Sequence, residues 1–206
     1  MSVQVGVLRA IVDVGLQEAR DGALENPALY FEDATELAKG MALLVDTISS
    51  PNRTGLGCEL IGLSETDLVE LIVRAWCPHE ARAASHGLNV QFQVPDTQPA
   101  ERDASLVTAI VTNLLVNAVS HTPERGDLKV TLVENCLTIA NTNHDLREAD
   151  LPHMCEPFWQ KDASRTDRSH FGIGMAPVDA YARLLKVEVR LSLNTPGIFK
   201  IALIFS

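Results

Sequence analysis

The sequence predicts an α+β fold: a two-layer α/β sandwich of a mixed sheet and helices, preceded by an antiparallel helical hairpin. Three observations predict it. Before residue 50, two stretches repeat apolar residues at the i, i+3, i+4, i+7 spacing of amphipathic helices. A run of turn formers without periodicity, Ser49-Ser-Pro-Asn-Arg-Thr-Gly-Leu-Gly57, then interrupts the pattern. Beyond it, helical and strand-like stretches succeed one another in the manner of an α+β layer arrangement. The boundaries read 1–50 for the hairpin and 58–206 for the sandwich.

The first arm of the hairpin carries Val3, Val7, Leu8, Ile11, Val12 and Leu16, and the second Leu29, Leu37, Met41, Leu44, Val45 and Ile48. Asp21-Gly22 and Glu25-Asn-Pro27 separate them. Two such helices cannot bury their stripes alone. They either pair with a second copy as a four-helix bundle, which is the expectation, or fold back onto the second region. That region opens with Glu65-Thr-Asp67-Leu, read as the start of a helix through Leu71, Ile72 and Trp76. Residues Leu88 to Val94 alternate as a strand, and Asp103 caps a long helix with Ala104 and Ser105 in its first turn. Leu128 to Val133 and Leu137 to Ala140 read as two strands around a Glu134-Asn135 turn. A helix follows through Val178, Tyr181, Ala182, Leu184 and Leu185. Val187 to Leu193 and Ile198 to Phe205 then form a hairpin through Asn194-Thr-Pro-Gly197.

Composition narrows the function classes. A chain of 206 residues with 46% hydrophobic content can bury a sizeable core. Its net charge of −10 argues against a nucleic-acid partner, because phosphate backbones are held by clustered Lys and Arg. No apolar run is read as long enough to span a membrane, so no membrane contact by this segment and a cytoplasmic location are expected. Cys58, Cys77, Cys136 and Cys155 are scattered, which suits reduced, packed thiols. Cys77-Pro-His79 and His153-Met-Cys155 read as chance neighbours rather than zinc half-sites.

The most informative stretch is Asn113-Leu-Leu-Val-Asn117-Ala-Val-Ser-His121. Two carboxamides four residues apart leave the same face of a helix, one turn apart, and His121 continues that edge. Among Leu106, Val107, Ile110, Val111, Leu114, Leu115 and Val119, buried amides are costly unless something polar meets them. The helix alone leaves two readings open: a ligand such as Mg²⁺, which favours hard neutral oxygens beside phosphates, or bonds to a neighbouring loop. A second stretch bears on the choice. Glu156-Pro-Phe-Trp159 and Arg165 lead to His170-Phe-Gly172-Ile-Gly174-Met175, where glycines two apart open a helix and aim free N–H groups at an anion.

Taken in order, the Asn helix, the two-strand unit, the Glu156-Pro-Phe-Trp159 block and the glycine pair resemble the nucleotide-binding domain of sensor histidine kinases. That domain belongs to the GHKL, or Bergerat-fold, superfamily with Hsp90, the MutL repair proteins and the gyrase ATPase domain. The resemblance runs from about Leu63 to the C-terminus. Asn113 and Asn117 match the N box, Phe158 the F box, and Gly172 and Gly174 the second glycine box.

The resemblance implies ATP and Mg²⁺ as cofactors. Asn117 would bind the metal, and Asn113, His121, Asn141, Gly172, Ile173, Gly174 and Met175 would line the nucleotide site with it. Asn113 and Arg165 would carry the catalytic roles, Arg165 as the lid cation facing a γ-phosphate or else simply solvated. Where the hydrolases of the superfamily place a general-base Glu, this chain has Asn113, which cannot take a proton at neutral pH. Phosphoryl transfer to a histidine is therefore implied rather than hydrolysis.

Several positions depart from the family. Asn141-Thr-Asn143-His-Asp145 stands where an Asp followed by glycines is usual, and Asn141 can still accept the adenine amino group's bond. Ser120 replaces a customary Lys or Arg, and His170 a glycine. No His precedes His79, so the hairpin reads as a truncated or degenerate dimerisation hairpin lacking the phosphoacceptor. The expected partners are a second copy and a response regulator. The alternative is a catalytically inactive kinase-like adaptor with a vestigial pocket.

Overall fold

The structure, a computed structural model, describes residues 62–156, 175–194 and 197–205. All of them fall in the second of the chain's two units, Gly57–Arg165 with Phe171–Ser206. The hairpin expected over 1–50, with its dimer-forming stripe, lies outside them.

The α+β sandwich expected from the sequence is present. Its larger sheet has five strands: β2 (Asn89–Gln93), β4 (Asp127–Val133), β5 (Cys136–Thr142), β6 (Glu188–Asn194) and β7 (Ile198–Ile204), in the order β2-β4-β5-β7-β6. Only β2 and β4 run parallel, and the other pairs are antiparallel. Alternation decides which face is inside: Leu128, Val130, Leu132, Leu137, Ile139, Phe199, Ile201 and Leu203 are buried, while the residues between them are not. The β4–β5 hairpin turns at Glu134, whose φ of 51° supplies the left-handed backbone that a two-residue connection needs.

Against the inner face pack α1 (Leu68–Trp76), α3 (Ala104–His121) and α4 (Met175–Leu185), with a short α2 (Glu80–Ser85) beyond α1. Leu68, Ile72, Val107, Ile110, Val111, Leu115 and Val119 are almost wholly excluded from solvent. Trp76 of α1 meets Phe92 of β2 edge to face, with ring centroids 5.4 Å apart. The helix boundaries follow from local chemistry. Asp103 caps α3 by accepting from the amides of Ser105 and Leu106 at 3.0 and 3.1 Å. At the other end Thr122 turns extended ahead of Pro123, which cannot continue a helix. The helices α2 and α4 both end in a Schellman arrangement, with Gly87 at φ 65° and Lys186 at φ 56° in the left-handed position.

Two findings differ from the sequence reading. The first helix begins at Leu68, not at Glu65, because Ser64–Asp67 forms a strand, β1, paired antiparallel with β3 (Pro99–Arg102). Each strand is four residues long and half exposed, too short and too polar to print a period-two apolar pattern. The second concerns length. α3 has 18 residues at mean hydropathy 1.4, so one helix among the described residues is long and apolar enough to cross a membrane. Here that apolar character is spent on the sandwich core, since Val107, Ile110, Val111, Leu114, Leu115, Ala118 and Val119 all pack inward.

Candidate functional site

α3 lies against β5 and α4, so the elements carrying Asn113 and Asn117, Asn141, and Met175 are neighbours. The inward stripe of α3 takes the positions at 107, 110, 111, 114, 115, 118 and 119. Asn113, Asn117 and Ser120, at i, i+4 and i+7, share the remaining side, which is half-buried rather than exposed.

The sequence reading took both amides as buried, and this needs correction: both are of intermediate exposure. Asn113 is also partly satisfied within its own helix, since Nδ2 donates to the Ala109 carbonyl at 2.8 Å. A neutral amide so engaged presents one free oxygen and no base. Asn117 differs. Its side chain makes no hydrogen bond to any described residue. One turn on, the Ser120 hydroxyl is buried without a hydrogen-bond partner among the described residues. His121, expected to continue this edge, is exposed at the last position of α3, and Ser120 takes the inward place. The signal was present in the i, i+4, i+7 spacing, but it was read only as the loss of a cation.

Asn141 sits at the end of β5, facing the helices between its sheet partners Leu128 and Phe199, and only 4% of its surface is exposed. Its Nδ2 donates to the Thr142 carbonyl at 3.1 Å, while no described residue donates to its Oδ1. A buried acceptor left open is what a ligand donor would satisfy. Two residues on, Asn143 folds the following loop by accepting from the amides of Asp145 and Leu146 at 3.0 and 2.9 Å. Its own amide donates to the Gly197 carbonyl at 2.7 Å. A Cβ at Gly197 would come within 2.9 Å of the Asn143 carbonyl oxygen, so the close approach requires glycine there.

Met175 opens α4 and is buried at 8% exposure. Gly172, Ile173, Gly174 and Arg165 lie outside the described residues, as do Phe158, Trp159 and His170. Cys155, which interacts with the Asp179 and Arg183 side of α4, is half-buried. Burial pushes its thiol above the usual range, with Asp179 adding to the effect and Arg183 opposing it. Two of the cavities are bounded by described residues. One of about 280 Å³ lies over β2, β4 and β5, beside Asn89, Asp127, Lys129 and Ala140. The other, of about 440 Å³, lies beside Asn143, Leu146, Leu193 and Gly197. Neither is lined by Asn113 or Asn117.

Comparison with known proteins agrees with this arrangement. Residues 102–203, which hold α3 and all but one strand of the larger sheet, match the family of histidine kinase-, DNA gyrase B-, and HSP90-like ATPases. The chain belongs to that ATPase family. Curated relatives place it on the histidine kinase branch. The histidine-protein kinase BaeS of Escherichia coli is 27% identical over 138 residues, covering 65% of this chain and 30% of the relative. The bacteriophytochrome of Pseudomonas aeruginosa is 30% identical over 149 residues, covering 69% of this chain and 20% of the relative. The chain thus spans less than a third of either. Among solved structures, the mycobacterial sensor histidine kinase MprB superposes with a TM-score of 0.61 at 19% identity, covering 69% of this chain and 97% of the other. The cytoplasmic segment of histidine kinase QseC gives a TM-score of 0.59 at 16% identity, covering 82% and 94%. The Bergerat-type sandwich expected from the order of the boxes is therefore the fold of this ATP-binding domain.

Proposed function

We propose that this domain holds Mg-ATP against α3, the end of β5 and the start of α4, and that it is the phosphoryl-donating module of a cytoplasmic sensor histidine kinase. The observation that carries the proposal is the pattern of unmet polar atoms. The Asn117 amide and the Ser120 hydroxyl, one turn apart, have no hydrogen-bond partner among the described residues, and the buried Asn141 offers an acceptor that none of them uses. The two amides fit different parts of the nucleotide. A carboxamide oxygen suits Mg²⁺, which prefers hard oxygens and keeps several waters. An amide acceptor at the end of a strand suits the donor of an adenine amino group.

When bound, Mg-ATP would supply the transferable phosphoryl group, its charge partly neutralised by the metal. The residues of this chain orient and shield. Asn117 would hold the metal, and Asn113 would lie beside the phosphates without abstracting a proton. Gly172, Ile173, Gly174 and Met175 would offer backbone N–H groups, and Arg165 would face the γ-phosphate. With no base at position 113, water is not activated, and the acceptor is a nucleophilic imidazole outside this chain. The hairpin over 1–50 would pair two copies and present the response-regulator surface, as the family resemblance implies.

A thermal-shift titration tests the reading. Binding confined to the folded state raises stability by RT ln(1 + [L]/Kd), about 2.7 kcal/mol at a hundredfold excess. Mg-ADP should raise the melting temperature, and chelating the magnesium with EDTA should remove part of the rise. Asn117→Ala should lose that same part. A melting temperature indifferent to millimolar Mg-ADP would refute the proposal and favour a vestigial pocket.

A further inference from the structure

The small β1–β3 ribbon is bound at both ends by an aspartate that serves two masters. Asp67, the last residue of β1, caps α1 by accepting from the Val69 amide at 2.8 Å. The same Oδ1 accepts from the Gln98 amide at 3.0 Å, just ahead of β3. Asp103, directly after β3, does the converse. Its Oδ1 caps α3, while its Oδ2 accepts from the Gly62 amide at 2.9 Å, just ahead of β1. Each strand therefore delivers a carboxylate that caps the helix following it and grips the amide that leads into the other strand. The ladder between Ser64↔Arg102 and Asp67↔Pro99 completes the clasp.

We propose that this double clasp couples the segment leading into β1 at Gly62 to α3, the helix that carries Asn113 and Asn117, so that displacement of that segment biases the nucleotide helix and nucleotide binding tightens that segment in return. The functional half of this inference rests on the nucleotide reading above. Its physical basis does not. The Gly62 bond and the α3 cap share one carboxylate, so losing the carboxylate's position loses both, and a charge-assisted acceptor serving three amides is stronger than a neutral one. By thermodynamic reciprocity, a ligand that favours the closed clasp is itself favoured by it.

Asp103→Asn separates the two roles. Asparagine caps helices about as well as aspartate, but its second atom is an NH₂ donor and cannot accept from Gly62. Native-state hydrogen exchange on the full chain is the measurement. Without nucleotide, the amides of 62–67 and those of 105–108 should share one protection factor, as parts of one opening unit. Asp103→Asn should speed exchange in 62–67 about tenfold relative to 105–108, the equivalent of one charge-assisted bond. With Mg-ADP, slowing should extend to 62–67 in the parent chain and stop at α3 in the variant. Unequal protection of the two segments in the parent chain overturns the clasp, as does nucleotide-induced slowing of 62–67 that survives Asp103→Asn. A melting temperature unmoved by Mg-ADP refutes the nucleotide reading instead, and the comparison without nucleotide still decides the clasp.

Discussion

Asn117→Leu should stabilise the free protein and cripple it as a nucleotide receptor. In the free domain the Asn117 amide is half-buried and bonded to no described residue, so only water on its open side compensates its partial desolvation. An unsatisfied buried polar group costs about 1–3 kcal/mol, and partial exposure puts Asn117 near the bottom of that range, about 1 kcal/mol. Leucine has nearly the same reach and a better helix propensity, and it removes the cost without opening a hole. For a chain of this size 1 kcal/mol corresponds to about 2–4 °C in melting temperature. The rise of about 2.7 kcal/mol expected from a hundredfold excess of Mg-ADP should meanwhile shrink by its magnesium-dependent part. Calorimetric melting with and without Mg-ADP reads both effects. The neighbouring Asn113→Leu is the internal control, because it sacrifices the 2.8 Å bond to Ala109 and should not stabilise the free protein. If Asn117→Leu lowers the melting temperature of the free chain, the amide has a partner and the reasoning fails. If the variant keeps the full Mg-ADP response, Asn117 is not the metal ligand.

Other outcomes can be stated more briefly. Leu115→Ala empties a site that is 0% exposed at the centre of α3 and should cost about 3–5 kcal/mol by denaturant titration. Glu134→Asn relieves a left-handed backbone at φ 51° and should stabilise by about 0.5–1 kcal/mol, read as a higher midpoint at an unchanged denaturant slope. The Gln98 amide above all, with those of Val69 and Glu70, holds the Asp67 carboxyl below its usual range against the opposing effect of desolvation. A depressed carboxyl contributes stability above its unfolded value near 3.9 that is lost as pH falls through the folded value. The stability of Asp67→Asn should therefore decline less steeply than that of the parent chain below about pH 4.

The core of the sandwich was legible because its elements repeat loudly. Residues 128–133 and 137–140 alternate in phase with one buried face, and α3 has both a capping Asp103 and a terminating Pro123 around it. The β1–β3 ribbon was not legible. Its strands carry Ser64, Glu65, Pro99 and Glu101, and they are held by pairing and by two aspartates 36 positions apart in the sequence, a relation no local period encodes. The site was legible in its residue types more than in its environment. Spacing put Asn113, Asn117 and Ser120 on one face, but it could not tell that Asn113 would bond to Ala109 while Asn117 would not. That difference depends on side-chain rotamers and on how deeply the face is covered. Asn141 was identified by its place in the order of boxes, and its single engaged nitrogen came only from the structure.

The strand order has a consequence for synthesis. β7, the last strand along the chain, lies not at a rim but between β5 and β6. A nascent chain that has emerged only as far as Asn194 has made β4, β5 and β6, yet the free edge of β5 has nothing to pair with, and β6 has no neighbour at all. The sheet cannot be assembled from one side to the other as translation proceeds. It closes only once Ile198 to Ile204 is available to pair with β6 and to dock on the edge of β5, so that contacts far apart in sequence form late. Until then an unpaired apolar edge built from Leu137 and Ile139 stays open to other chains. Ribosome stalling or premature termination near residue 194 should therefore yield an aggregation-prone product rather than a slightly shortened domain.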